Sequence, residues 1–508
     1  MIAGAEIGCL ASREQAAERA CVAGISTRTA ASLRARRARW IPFLAAAVVY
    51  LAAPGTHADD SDPASTPAVH ERPKIQFNRW QEDWSVLANP DIPREPFDNL
   101  KYIPLSAEDP QTYLSLGANL RERFESNDAT SFGVGTNRKD NYDISRLEAD
   151  ADLRIAGQFQ FFTQLQSDYA IDKDVHTPVD QDSTVDLEQA FVALTEPLDS
   201  GLLKMRLGRQ QIGFDLQRFV SVRDGPNVRQ SYDAAWIDYE KGDWRYITFY
   251  SHPVQDRDER SFDDYSSPKL SYGGFRIERR VMESAAVAVY VSRFTQENAR
   301  FPSATGNERR DIVDAHFSGT HGLWDWDIEG MNQVGRIGPQ NIEAWAFGSI
   351  VGYTLNQLPW SPRFGLQVDA ASGDKNPHDN ELNTFNPLFP NGYYVTLAGY
   401  TGFVNFIHVK PSLTVHPLAP LKLMFAIAGQ WRETTADAVY TQPDIPVAGT
   451  AGHAGQYTGT YGQFRADYAL TEHVWLALEV VHFAVADVIR EVGGHDGDYV
   501  GAEIRMGW

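Results

Sequence analysis

Arginine residues recur at every second position in several segments of this sequence, and their chemistry stands out. Arg121 and Arg123 are separated by one residue, and the segment "ISRLEADADLRI" (144–155) alternates charged with apolar positions. An arginine guanidinium binds a carboxylate through two parallel hydrogen bonds and does not lose its charge. A row of them on one surface would therefore favour a carboxylated solute. The basic residues that fall on such a face are Arg121, Arg123, Arg146, Arg154, Arg276, Arg363, Lys410, Arg465 and Arg505.

The same faces also carry many carboxylates, which supports a second interpretation. Glu148, Asp150 and Asp152 alternate with the arginines of one segment, and "WDWDIE" (324–329) adds three more acidic side chains. Arginine and carboxylate side chains on neighbouring strands can satisfy one another and stiffen a wall without touching any solute. For each arginine, solute contact and wall pairing both remain open.

Signatures of an enzyme or of a metal site are missing from the sequence. The 13 histidines show no metal-ligand spacing such as H-E-x-x-H, and there is no G-x-S-x-G elbow and no P-loop. His316 and His482 are isolated candidates for catalysis, and the oxygen-rich loop 372–381 is a candidate for calcium. We expect no catalytic residue, no metal and no cofactor.

The elements that carry these side chains are predicted to be strands. In "YLSLGANLRERFE" (113–125) most apolar residues face one way and most polar residues the other, and this period of two is typical of a β-strand. A helix would scatter the charges of 146–154 around its whole circumference. We find 18 candidate strands, from 113–125 to 498–508.

The connections between these strands alternate between short and long, which predicts the fold class. Short connections such as "AGQ" and "KGD" alternate with long ones, of which 372–402 is the longest. This pattern is typical of an all-β, transmembrane, up-and-down antiparallel β-barrel with short periplasmic turns and long extracellular loops. The final segment "DYVGAEIRMGW" has one apolar and one polar face, as expected for a strand that pairs with the first and closes the barrel. A soluble β-sandwich or propeller is the alternative.

The amino-terminal part has a different character, and we divide the chain into three regions. Residues 1–58 have arginines, then the apolar run 41–53, then small residues, which predicts a signal peptide rather than an anchor helix. Residues 59–112 are Pro-rich and are predicted to be a periplasmic segment, and 113–508 form the barrel. Both cysteines, Cys9 and Cys21, lie in the predicted leader, so no disulfide is expected. The net charge of −21 argues against a nucleic-acid partner.

Several longer motifs resemble a known family, the alginate export proteins. They are "EDWSVLANP" (82–90), "DNLKYIPL" (98–105), "YLSLGANLRERFES" (113–126), "RLGRQ" (206–210), "VSVRDGPNVRQSYDAAWI" (220–237) and "FNPLFPNGYY" (385–394). The resemblance implies an 18-stranded outer-membrane barrel that passes a polyuronate outward through an arginine-lined pore. It also implies that one extracellular loop and one periplasmic loop occlude that pore.

The resemblance assigns roles to particular residues. It implies a pore-lining or loop-anchoring role for Arg121 and Arg123, for Arg206 and Arg209, and for Arg223, Asp224 and Arg229 around "DGPN". We assign Arg206 to the pore and Arg223, Asp224 and Arg229 to loop anchoring. The sequence departs from the family at the turn 471–473, which is too short to hold a periplasmic plug.

The function predicted from the sequence is that of a passive channel in the outer membrane of a Gram-negative bacterium. Its cargo would be an anionic or polyhydroxylated polysaccharide or a related solute. A substrate-selective uptake porin and a non-conducting receptor or adhesin barrel are the alternatives. The expected partners are the lipid bilayer, the solute and a periplasmic export protein, and a monomer is preferred by analogy with the family.

Overall fold

The structure of the chain is a computed structural model, and it describes residues 72–135, 139–174, 179–180 and 185–508. The predicted signal peptide, 1–58, lies outside the described residues. Among the described residues, none of the helices is long and apolar enough to cross a bilayer.

Eighteen antiparallel strands form the body of the molecule, and every predicted strand has an observed counterpart. In chain order, β1 to β18 are Tyr113–Asn127, Asp140–Ile155, Phe159–Ile171, Asp186–Leu198, Gly201–Gln210, Tyr232–Lys241, Trp244–Gln255, Leu270–Met282, Ala285–Arg300, Thr305–His321, Trp324–Ile337, Gln340–Thr354, Arg363–Ala371, Phe406–Leu418, Leu421–Trp431, Tyr457–Ala469, Val474–Val485 and Gly497–Gly507. Consecutive strands pair with one another throughout.

The first and last strands close this sheet into a barrel. β1 pairs with β2 on one side and with β18 on the other, where Arg121 lies opposite Arg505 and Glu125 lies opposite Gly501. Closure leaves no strand edge unpaired in the bilayer, which is the condition for a sheet to cross it. The prediction of an all-β, 18-stranded antiparallel barrel is confirmed.

The two faces of the strands differ as the period of two requires. Leu147, Leu207 and Ile427 point outward and expose 49 %, 62 % and 57 % of their surface. Their inward-facing neighbours Arg146, Glu148 and Arg206 are buried. Large apolar side chains on the outside suit contact with lipid, and alternation along each strand keeps the charged side chains within the lumen.

One hairpin is longer than the sequence indicates. β9 runs to Arg300 and β10 starts at Thr305, whereas alternation predicts strands of 284–294 and 311–319 joined by a long loop. The register between the two strands shifts between Gln296 and Ala299, so this extension contains a β-bulge. The extension has polar residues on both faces, so its sequence lacks the alternation of apolar and polar positions that indicates a strand.

Two long loops fold back into the barrel and build a hydrophobic core inside it. The β5–β6 loop (211–231) and the β13–β14 loop (372–405) are largely buried. Phe219 of the first packs against Phe385 and Phe403 of the second, with ring centroids 5.4 Å and 5.1 Å away. Inward-facing aromatic side chains of the wall, including Tyr232, Phe249, Tyr272 and Tyr290, join this cluster.

The N-terminal segment (72–112) lies at the opposite end, where the short turns are. It contains two 3-10 helices, Arg79–Gln81 and Trp84–Ala88, and the helix α1 (Asp98–Lys101). A second short helix, α2 (Asp487–Arg490), lies in the β17–β18 connection. Four further pairs of residues, Tyr265–Ser266, Glu381–Leu382, Tyr440–Thr441 and Ile445–Pro446, form short strands in the loops, and Ile103–Pro104 pairs with the start of β1.

Candidate functional site

Four arginines converge on one aspartate of the β5–β6 loop inside the barrel. Arg146 and Arg229 donate to Oδ1 of Asp224 over 2.6 Å and 2.8 Å, and Arg505 donates to Oδ2 over 2.7 Å. Arg121 donates to the backbone carbonyl of the same residue over 2.7 Å. Arg121, Arg146 and Arg505 lie on the wall strands β1, β2 and β18, whereas Arg229 lies in the same loop as Asp224. We call these four arginines and Asp224 the Asp224 cluster.

The electrostatics of Asp224 follow from its neighbours. Burial by itself raises the pKa of this carboxyl, but Arg505, Arg229, Arg146 and Arg121 together hold it well below its usual range. The charged form of the carboxyl is therefore strongly preferred, and hydrogen bonds from the arginines replace its hydration. A site that stabilises one buried carboxylate to this extent has the chemistry required to bind another.

A second cluster lies beside the first, on β1, β16, β17 and β18. Arg123 is 2 % exposed and donates to Glu479 over 2.7 Å, and its Nη1 atom lies 3.5 Å from Glu503. Arg465 bonds to the same Glu479 and to Asp467. The guanidinium carbon of Arg123 lies 5.8 Å from the ring of Tyr393 in the β13–β14 loop. These arginines are engaged by wall carboxylates.

A third cluster attaches the other end of the β5–β6 loop to the opposite wall. Arg276 donates two hydrogen bonds of 2.7 Å to Asp215. His316 lies between Asp215 and Asp327, with ring nitrogens 2.9 Å and 2.8 Å from their oxygens. Arg218 of the loop bonds to Asp327 and to Glu329. His316 is thus surrounded by carboxylates in the lumen and belongs to this polar network.

Three of the predicted arginines contact the N-terminal segment. Arg154 donates to the backbone carbonyls of Trp80 and Glu82, each over 2.8 Å. Arg206 lies 4.3 Å from the ring of Trp80 and 5.2 Å from that of Trp236, an arrangement typical of cation–π contacts. Arg229 lies over the ring of Phe77.

The remaining predicted residues have separate positions. Arg363 bonds to Asp325 on β11. Arg223 connects the two inward loops, because it donates to Gln230 in its own loop and to the carbonyl of Leu388 in the other. Arg209 faces the outside of the barrel and pairs with Asp233, so it does not join the inward-facing group.

The structure therefore brings most of the predicted arginines to the lumen and gives each a protein partner. Whether they also contact solute stays a prediction. Sequence reasoning missed Asp215 and Arg218, which lie in an irregular loop and show no alternation. The only available signal was their position near the "DGPN" motif, and it does not reveal that this loop turns inward.

The oxygen-rich loop 372–381 uses its carboxylates locally. Asp374 accepts a hydrogen bond from the hydroxyl of Ser303, and Asp379 accepts one from the backbone of Glu381 over 2.8 Å. Elsewhere in the described residues, Asp186, Asp263 and Asp264 bring carboxylate oxygens within 4.8 Å of one another. All three of these carboxylates accept backbone N–H groups of neighbouring extracellular residues.

Comparisons with solved structures show what the fold is similar to. OccAB4 of Acinetobacter baumannii matches with a TM-score of 0.55 and 11 % identity, covering 78 % of this chain and 98 % of that one. OccK9 (OpdG) and OpdQ of Pseudomonas aeruginosa both match with a TM-score of 0.53, with 12 % and 10 % identity, over 78 % of this chain and 98 % of theirs. At such identities the likeness concerns the fold alone.

Sequence comparison identifies the family. None of the curated proteins matches the chain. The family model described as "Alginate export" matches residues 112–503, which is most of the chain and nearly the whole barrel. The chain therefore belongs to the alginate export family and forms a channel in the outer membrane of a Gram-negative bacterium.

Proposed function

We propose that the chain is a passive, non-enzymatic channel for an anionic or polyhydroxylated saccharide, with carboxylated chains such as polyuronates as the preferred cargo. The observation that carries this proposal is the Asp224 cluster, where three arginines bind one carboxylate within the barrel and Arg121 binds the backbone carbonyl of the same residue. The carboxylate of a uronate has the same shape and charge as that of Asp224. A solute that displaces the loop could use the wall donors Arg121, Arg146 and Arg505.

The physical argument concerns the cost of moving a charge through a narrow lumen. A carboxylate that leaves bulk water loses its hydration, and fixed donors must replace it. Arginines supply two donors in one plane and lose little freedom when they bind. Passage would follow the solute gradient, or depend on delivery by a periplasmic partner. We propose that the monomer is the functional unit, because a single barrel encloses the whole cluster.

The proposal is tested by single-channel recording in a planar bilayer under a salt gradient, where the reversal potential reports ion selectivity. We expect anion selectivity. Arg121→Ala should lower the ratio of anion to cation permeability roughly fivefold, as expected for about 1 kcal/mol of Coulomb energy near water. Arg293→Ala is the matched control, because Arg293 is exposed and pairs with Asp311 near the extracellular end.

Two results would contradict the proposal. Cation selectivity, or an anion selectivity unchanged in Arg121→Ala, would mean that the arginines serve only to stabilise the wall and the loops. Vesicles containing the chain should also release labelled uronate oligomers. Release of small acids with retention of long uronates would instead favour a substrate-selective uptake porin, and no conductance at all would favour a receptor or adhesin.

A further inference from the structure

We infer that the N-terminal segment (72–112) is a periplasmic lid that covers Arg154, Arg206 and Arg229 and must move aside when solute passes. The turn between β16 and β17, residues 470–473, is too short to reach into the lumen. The N-terminal segment lies at the same end and makes the contacts that such a closing element needs. The inference rests on the proposed channel function, but not on the identity of the solute.

The first line of evidence is Arg79, which is buried inside the mouth of the barrel. Its guanidinium donates to the side chain of Asn119 on β1 over 3.0 Å and to the carbonyl of Trp508. It also pairs with Glu82 of its own segment over 3.0 Å. A Cβ atom added to Gly117 on β1 would come within 2.8 Å of Arg79, so this glycine leaves room for the arginine.

The second line of evidence is Trp80, which packs against the part of the barrel wall next to Arg79. Its ring meets Phe191 edge-on with centroids 5.8 Å apart, and Arg206 lies over its face. Its carbonyl accepts hydrogen bonds from Arg154 and from Gln160, each 2.8 Å long. These donors belong to β2 and β3, so one residue of the lid occupies the polar groups of two wall strands.

The third line of evidence is that the lid reaches the β5–β6 loop. The ring of Phe77 lies 4.3 Å from the guanidinium carbon of Arg229, which also binds Asp224. An element from the periplasmic end and a loop from the extracellular end therefore meet in the lumen. Displacing the lid would leave Arg229, Arg206 and Arg154 facing the periplasm as a ladder of donors that leads to the Asp224 cluster.

The contacts are suited to release as well as to closure. Apart from the edge-on contact of Trp80 with Phe191, the contacts inside the lumen described above are hydrogen bonds and cation–π contacts, which water or a carboxylated solute can replace. The apolar part of the segment, with Trp84 and Leu87 packed against Tyr113, lies next to the start of β1. That packing can act as a hinge, because it keeps the segment attached to the rim while residues 77–82 move.

A reversible cross-link tests the lid directly. In a background in which Cys9 and Cys21 are changed to Ser, Arg79→Cys and Asn119→Cys are joined by a short bifunctional thiosulfonate that forms disulfides with both. The chain is purified from outer membranes, and heat-modified gel mobility verifies that the barrel is folded. We expect most of the single-channel current to be lost while the link is intact and to return when dithiothreitol breaks it.

The comparison uses the same molecules before and after reduction, so a folding defect cannot produce the expected change. Equal currents in the linked and reduced states would overturn the lid and leave the channel function intact. No current in either state would overturn both the lid and the channel function.

As a second test, Phe77→Ala together with Trp80→Ala should raise the open probability of the channel. Leu105→Ala, in the same segment but exposed, is the matched control and should not; equal open probabilities in the two variants would count against the lid.

Discussion

At the scale of single residues, the lumen is organised by carboxylates that belong to loops. Asp215 lies in the first half of the β5–β6 loop and Asp224 in the second, and arginines from opposite walls bind each of them. A buried ion pair adds little net stability compared with an apolar replacement, yet breaking it by removing one partner is costly. The aspartates therefore fix the path of the loop more than they stabilise the barrel.

This argument predicts the effect of Asp224→Asn. The substitution keeps the volume of the side chain and removes the anion that Arg146, Arg229 and Arg505 bind directly, so we expect a loss of about 3–5 kcal/mol in loop attachment. Hydrogen exchange of the amides of 211–231 in lipid vesicles would measure it. Asp311→Asn, which breaks an exposed pair with Arg293 and Arg309, should cost no more than about 1 kcal/mol. Equal protection in both variants would contradict the anchoring role.

At the scale of elements, the lid carries a buried lysine, Lys101. Burial, followed by repulsion from Arg79, lowers the pKa of Lys101 to about 8, although Glu82 and Asp150 act in the opposite direction. An unfolded lysine titrates near pH 10.4. Between these two values the released segment binds more protons than the docked one, so raising the pH across this window favours docking.

We therefore expect the lid to dock more tightly as pH rises from about 8 toward 10. The urea concentration that releases the segment, detected by protease cleavage within 72–112, should increase over this range in the unmodified chain. Lys101→Met has no side-chain proton to lose at this position. The urea concentration that releases its segment should therefore stay at its pH 7 value over this range. A slope of the same size in both chains would show that another group is responsible.

The sequence was sufficient to predict the strands of the barrel wall, but not the loops that fold into the lumen. Every strand could be found because lipid on one side and polar lumen on the other impose a period of two. Tyr272 and Tyr290 point inward although they are large aromatic side chains, because the inward loops pack against them: Phe389 of the β13–β14 loop contacts Tyr272, and Phe214 of the β5–β6 loop contacts Tyr290. Nothing in an irregular loop specifies whether it turns outward or inward. The partners of Arg276 and Arg154 therefore became visible only in the structure.

At the scale of the whole molecule, stability depends on an uninterrupted apolar exterior. Leu147 lies in the middle of β2 and exposes 49 % of its surface outward. His321 ends β10 beside a short turn and is exposed at the rim. The two positions therefore sample different depths of the bilayer on the same outer surface.

We expect Leu147→Arg to reduce the folding free energy in vesicles by about 2–4 kcal/mol, and His321→Arg to change it by about 0–1 kcal/mol, since the cost of a charge falls toward the interface. Reversible urea unfolding monitored by tryptophan fluorescence would measure both. If the two variants unfolded at the same urea concentration, Leu147 would not lie at the depth that the barrel geometry assigns to it.

The pairing of β1 with β18 has a consequence for the order in which the molecule assembles. Arg121 and Arg505 are partners across the closing seam, and the bond from Arg79 to Trp508 spans 429 positions of the chain. Contacts between such distant positions carry a large loop-closure entropy and form late. Closure of the ring is therefore a late step of assembly, and the docking of Arg79 reports that the ring has been completed. A chain that stalls before closure would leave residues 72–112 accessible to periplasmic proteases.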